Sequence, residues 1–234
     1  MSLLAGLKTS KDIAEDKDIL GGNYKMLDSD IYTGKIKYAY LQKAANSNAM
    51  SLNLSVIIDG TEYKETLWIS NKNGQNFYEK DGKKNYLPSF TIANNIALFT
   101  AQKELADLDT EEKVVNIYNY DQKKEVPTAM PCITAFHDKK VTLAIMKEIK
   151  PKQAKNDAGI YVDTNETREV NTIQKVFHPE NHKTVAECKA KADHAEFYDK
   201  WLEQNKGKVK EHKAKSATPG ASTNQSKTVS SLFA

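Results

Sequence analysis

The chain has 234 residues, 39% hydrophobic and 28% charged, with a formal net charge of +3, a globular balance tilted towards polar. No run of about 18 apolar residues occurs, which excludes a membrane-spanning helix, and the opening Met1-Ser2-Leu3-Leu4-Ala5-Gly6-Leu7-Lys8 is a poor signal peptide. Cys132 and Cys188 cannot build a disulfide framework, so a reducing intracellular setting is expected.

Residues 1–29 read as an irregular leader, charged from Lys8 to Asp18 and broken at Gly21-Gly22. Strand pattern starts at Ile31 and runs to Leu41, rich in β-branched and aromatic residues. After a turn at Asn46-Ser47-Asn48, Leu52, Leu54, Val56 and Ile58 alternate with mostly polar neighbours, the period of a half-buried strand. Asp59-Gly60 is a hairpin turn. Beyond it Tyr63, Glu65, Leu67 and Ile69 share one face, with Lys64, Thr66 and Trp68 on the other. Asn73-Gly74 and Asp81-Gly82 punctuate a further hairpin-like stretch. Pro88 then opens a helix with Ile92, Ile96, Leu98 and Phe99 at helical spacing, and Asp107 to Glu112 is an acidic connector. Strands return at Val114–Tyr120, Cys132–Phe136 and Val141–Met146. About five strands, with one helix between the third and fourth, is the order of an OB-fold, a Greek-key β-barrel, and residues 30–150 are assigned to it.

Residues 151–205 form an extension: a polar excursion to 183 with a small hairpin around Ile160-Tyr161-Val162, then one helix from Thr184 to Asn205. Thr184 and Glu187 spell a capping box, and Phe197, Tyr198, Trp201 and Leu202 supply an apolar stripe. Residues 206–234 are a Lys/Ser-rich tail, too poor in apolar groups from Lys208 onward to fold, ending in the apolar tip Val229–Ala234.

Charge is unevenly spread. Residues 200–227 carry a balance of +5, which leaves −2 for the rest, and Arg168 is the one arginine among 34 basic residues. Lysine suits sequence-blind phosphate contacts, whereas bidentate base readout is arginine chemistry. Binding to single strands needs aromatic faces for bases and lysines along a groove. Trp68 is the strongest stacking candidate, on an otherwise polar strand face, with Tyr78 and Tyr118 as further candidates. Tyr38 and Tyr40 share a face with Ile36, opposite Lys35 and Lys37, and read equally as core. Lys35, Lys37, Lys64, Lys72, Lys83 and Lys84 are the phosphate candidates; the ordinary alternative is that aromatics fill the core and lysines form a solvated rim.

Other chemistries lack their residues. His178, His182 and Cys188 have no fourth ligand nearby, so no metal is expected. There is no Gly-x-Ser-x-Gly elbow or phosphate-binding loop, and the acids gather in the leader, in 104–112 and in 163–169 rather than on a core strand. No enzyme and no cofactor are expected.

Several segments occur together in one order: Tyr32–Ala45, Glu65–Ile69 with Asn71 to Tyr78, Leu87-Pro88-Ser89-Phe90 with Ala93-Asn94, Glu111-Glu112-Lys113-Val114, Lys124-Glu125-Val126-Pro127, Lys175-Val176-Phe177 and Phe197–Leu202. Over roughly residues 20–206 the chain resembles the single-stranded DNA-binding proteins of tailed bacteriophages, especially the short-tailed ones. The resemblance implies an OB-fold that coats single strands in replication and recombination in the host cytoplasm, and sometimes contacts polymerases. Such proteins often end in an acidic tail with an apolar tip; here residues 216–234 contain no acid. The tail is expected to act either through Lys206, Lys208, Lys210, Lys213 and Lys215 on phosphates or through Leu232, Phe233 and Ala234 on a replication or transcription protein. The competing expectation is an intracellular or virion β-barrel interaction or structural protein with no nucleic-acid role.

Overall fold

Asp30–Lys43 (β1), Met50–Ile58 (β2) and Thr61–Trp68 (β3) form an antiparallel meander, the last two by alternation of apolar and polar residues. Asp59 and Gly60 close the second hairpin with positive φ at both positions, 47° and 79°, the turn that matches strand twist. The computed structural model describes residues 26–119, 122–156, 159 and 161–214. Next come a separate hairpin, Phe77–Lys80 (β4) with Lys83–Tyr86 (β5), and the helix Pro88–Ala101 (α1). Glu111–Asn119 (β6), Lys124–Cys132 (β7), Lys140–Lys155 (β8) and Tyr161–Phe177 (β9) follow. The described residues end with helices Val185–Lys189 (α2) and Glu196–Asn205 (α3) and the short strand Val209–Glu211 (β10).

The fold is mainly β. Among the described residues eight strands form one sheet in the order β10-β8-β1-β2-β3, with β9 on the far edge of β8 and the β6–β7 hairpin joined to β1 through Cys132 and Tyr40. The core lies between the sheet and α1: Ile36, Leu52, Val56, Leu67, Leu143 and Ile145 meet Ala93, Ile96 and Ala97. Each such aliphatic side chain, removed from water, stabilises the fold by about 1.5–3 kcal/mol. The other face of β8 and β9 offers Ala144, Met146 and Phe177 to Trp201 of α3. Among the described residues no helix is long and apolar enough to cross a membrane.

Several expectations are corrected. About five strands are expected in residues 30–150; the described residues as a whole form ten, among them the separate β4–β5 hairpin, the β6–β7 hairpin and the long β9. Residues 150–183 are no polar excursion: β8 runs on through 150 and pairs with β9 from Thr142↔Phe177 to Lys155↔Tyr161. Beyond the core this ribbon is polar on both faces, so alternation does not betray it. The strand expected at Cys132–Phe136 stops at Cys132 and turns into a 3-10 helix. That strand is the end of β7, whose earlier part is hidden in the sequence by Pro127 and Pro131, tolerated where a strand has one nearly free edge.

The single helix expected from Thr184 to Asn205 is two. The capping box forms, but Lys191 adopts a left-handed φ of 52° and the chain restarts at Glu196. Glu187 bridges the break, accepting the backbone N–H of Thr184 and of Phe197, each at 2.8 Å. Burial would raise its carboxyl, yet those bonds hold it below the usual range.

Both ends of the described chain are docked. In the leader, Leu27 packs against the core and exchanges two backbone bonds with the Asn171 amide, and Ser29 is 1% exposed. At the other end, β10 pairs parallel with Lys147–Ile149 of β8, in a stretch expected to be unfolded. Backbone bonds and polar contacts rather than apolar burial hold it: the His212 N–H donates to the Ile149 carbonyl at 2.9 Å, and the Lys210 and His212 side chains reach Glu148 at 3.8 and 3.2 Å. Residues 1–25, Ile160 and the tip Leu232, Phe233 and Ala234 lie outside the described residues.

Candidate functional site

A β-bulge sets the outer face of β1–β3. Lys35 and Ile36 pair with Ile57 and Val56, but the next pairing is Tyr38↔Ser55, so Lys37 is an extra residue. One inserted residue reverses the parity of everything after it. Ile36 before the bulge and Ala39 after it both point into the core, at 0% and 1% exposure. Tyr38 and Tyr40 therefore do not share the face of Ile36, as alternation predicts. They turn outward, onto the face of Lys64, Thr66 and Trp68.

The register then aligns three rows across the strands: Tyr38–Ser55–Lys64, Tyr40–Asn53–Thr66 and Gln42–Ser51–Trp68. Thr66 Oγ1 donates to Asn53 Oδ1 at 2.8 Å, and Asn53 Nδ2 donates to Ser51 Oγ at 3.2 Å. The β6–β7 hairpin stands beside this face, its Val115 and Cys132 packed on Tyr40 with Tyr38, Ile117 and Met130 around them. Between hairpin and sheet runs an open groove of about 620 Å³, lined by Tyr38, Tyr40, Trp68 and Tyr118 and by the amides of Gln42, Asn53 and Asn116. Trp68 and Tyr118 are half exposed (49% and 48%), whereas Tyr40 at 8% is part of the wall. The Tyr38 and Tyr40 rings lie 6.1 Å apart, tilted by 32°.

The groove's charges are partly spent internally. Lys64 Nζ lies 3.2 Å from Glu125 of β7 and 3.8 Å from Glu62. Burial disfavours the Lys64 ammonium, but Glu125, Tyr38 and Glu62 outweigh it and its pKa rises. Lys37 pairs with Glu62 at 3.1 Å, and Ser55 Oγ donates to the same carboxylate at 2.6 Å. Burial would raise Glu62; these partners lower it instead. Lys43 lines the groove mouth and, with Lys72, a neighbouring hollow of about 720 Å³.

Of the residues singled out in sequence, Tyr38, Tyr40, Lys64, Trp68 and Tyr118 meet in the groove. Lys35 and Lys37 are exposed on β1 outside the lining, and Lys72 sits beyond one end. Tyr78, Lys83 and Lys84 are elsewhere, on the β4–β5 hairpin, where Lys84 lies over the Phe77 ring at 4.8 Å. Sequence reasoning passed over Gln42, Asn53, Asn116 and Glu125. Asn53 was findable, since it alternates with Leu52 and Leu54; Glu125 was not, because its partner lies on another strand.

Acids do occur on core strands, against expectation. Glu148 on β8 is 2% exposed and accepts from Lys150 at 2.7 Å and Gln174 at 3.0 Å as well as from His212. Burial opposes its charge, yet Lys150, Lys210 and His212 pull its pKa down. Glu65 on β3 accepts from the Tyr63 hydroxyl and from the Ile173 N–H. Among the described residues no group of three or more His, Cys, Asp or Glu is placed to hold a metal ion. His178 packs edge-on to Phe99, and His182 stacks on Tyr198 at 4.5 Å.

No family model matches the chain, and no match emerges among curated proteins.

Proposed function

We propose that this protein binds single-stranded DNA without reading its sequence, by stacking bases on aromatic rings and meeting phosphates with lysines, and that it acts by binding alone. The observation that carries the reading is the convergence of Tyr38, Trp68 and Tyr118 from three strands on one open groove floored by side-chain amides. Exposed aromatics on a groove offer faces to any base. Lys43 and Lys64 on its lining, and Lys72 in the hollow beyond one end, suit a phosphate backbone.

The strand pattern supports an OB-like architecture. β1, β2, β3, β8 and β9 follow the order and antiparallel pairing of the first three and last two OB strands, with α1 before the fourth. In that fold the face of strands two and three carries oligonucleotides, and here that face bears Asn53, Lys64, Thr66 and Trp68. The likeness in sequence to the single-stranded DNA-binding proteins of short-tailed phages favours a role in replication and recombination inside the host. It also makes the tip Leu232–Ala234 the contact for a replication or transcription protein. A β-barrel interaction protein is the second reading, favoured by the pairing of Lys37 and Lys64 with acids. Titration with oligo-dT and with duplex of equal length separates the two: a salt-sensitive preference for the single strand supports the first, and no binding at low salt supports the second.

A further inference from the structure

The nearest acid to Lys64 is on the opposite wall of the groove. Glu125 of β7 is 3.2 Å from its ammonium, while Glu62 on its own strand is 3.8 Å away and already engaged by Ser55 and Lys37. Glu125 stands directly across the β6–β7 ladder from Tyr118. At its root this hairpin is fastened by the Tyr40↔Cys132 pairing, by the Ile133 N–H donating to Ala39 at 2.9 Å and by the cluster around Val115. Further along, the Lys64–Glu125 pair ties it back to β3 across the groove.

An ammonium asks the same of a carboxylate and of a phosphodiester: anionic oxygens at charge-assisted hydrogen-bond distance. Resting on the single-strand reading, we infer that Glu125 is a built-in substitute for a phosphate, occupying the Lys64 ammonium from the opposite wall of the groove until a bound strand displaces it. Both side chains are about half exposed, 46% and 52%, so the pair is weak and the exchange is cheap. Self-competition of this kind lowers affinity modestly and removes one lysine from the phosphate count of the resting groove.

The test compares wild type, E125Q, K64Q and the double variant, titrated with oligo-dT over a range of salt, with circular dichroism as the folding control. E125Q is expected to tighten binding by roughly two- to five-fold at low salt with the wild-type slope of log K against log salt, because Lys64 meets a phosphate in both bound states. K64Q is expected to flatten that slope by about 0.7, one phosphate contact on a single strand. In the K64Q background E125Q is expected to do nothing. Unchanged affinity in E125Q, or an equal gain without Lys64, overturns the inference while the groove reading stands. If wild type and E125Q both fail to bind oligo-dT at low salt, the single-strand reading falls and this inference falls with it.

Discussion

The Glu65 carboxylate accepts the backbone N–H of Ile173 at 2.9 Å and so joins β3 to β9, two strands that no ladder connects among the described residues. Part of Glu65 reaches solvent, but its carboxyl end is enclosed and also accepts from the Tyr63 hydroxyl. Burial pushes its pKa up to about 7, against the pull of those two bonds and of Lys150, and Glu148 adds to the rise.

A carboxyl whose folded pKa is raised contributes stability that is complete below its unfolded value and lost as pH rises through the folded one. Unfolding free energy should therefore fall between about pH 4.5 and 7, by at most on the order of 3 kcal/mol from this group. E65Q keeps an acceptor for Ile173 and should flatten that window. Glu148 has the opposite sign: its pKa is lowered, so its contribution is lost only as pH falls below the ordinary carboxyl range. Denaturant titrations over a pH series check both, and an E65Q profile identical to wild type would count against the assignment.

Trp68→Ala should weaken single-strand binding by about 1–3 kcal/mol, one stacked base, and leave thermal stability nearly unchanged because the ring is half exposed. Tyr118→Ala should do the same. Tyr40→Ala should behave differently, lowering stability, because that ring packs on Val115 and Cys132. Affinity and melting temperature measured on all three variants separate platform from wall.

Gly34→Ala tests the register itself. An added Cβ would meet the Ile57 carbonyl oxygen at 2.5 Å and Val56 Cγ1 at 2.7 Å, both inside the β1–β2 hairpin. The strands must part, and a loss of about 1–3 kcal/mol in denaturant unfolding is expected.

Deleting residues 208–234 should cost stability, whereas sequence composition alone predicts none. It removes Lys210 and His212 from the buried Glu148 and leaves Lys150 as its main cation. A loss of about 1–3 kcal/mol, the scale of a buried group deprived of partners, is the expected result of thermal or chemical unfolding. H212A should reproduce part of it.

Much of this was legible in the sequence, and the remainder fails for identifiable reasons. Alternation found β2 and β3 and turned Trp68 outward, because one face of each strand is buried and period two leaves no choice. The bulge at Lys37 has no marker in composition, yet it decides whether Tyr38 and Tyr40 belong to the core or the groove. The outer β8–β9 ribbon is polar on both faces, so its pairing is held by backbone bonds that sequence pattern does not record. Glu148 and Glu125 draw their meaning from His212 and Lys64, each supplied by another strand or segment.

The central claim is settled most directly by following intrinsic tryptophan fluorescence during titration with oligo-dT and with duplex of equal length. Trp201 of α3 is buried against Ala144, Met146 and Phe177 while Trp68 faces the groove, so Trp68 carries the signal. Tight, salt-sensitive quenching by the single strand, weak quenching by the duplex and loss of the response in W68F are predicted. No quenching by oligo-dT at low salt, or equal affinity for the duplex, would contradict the account.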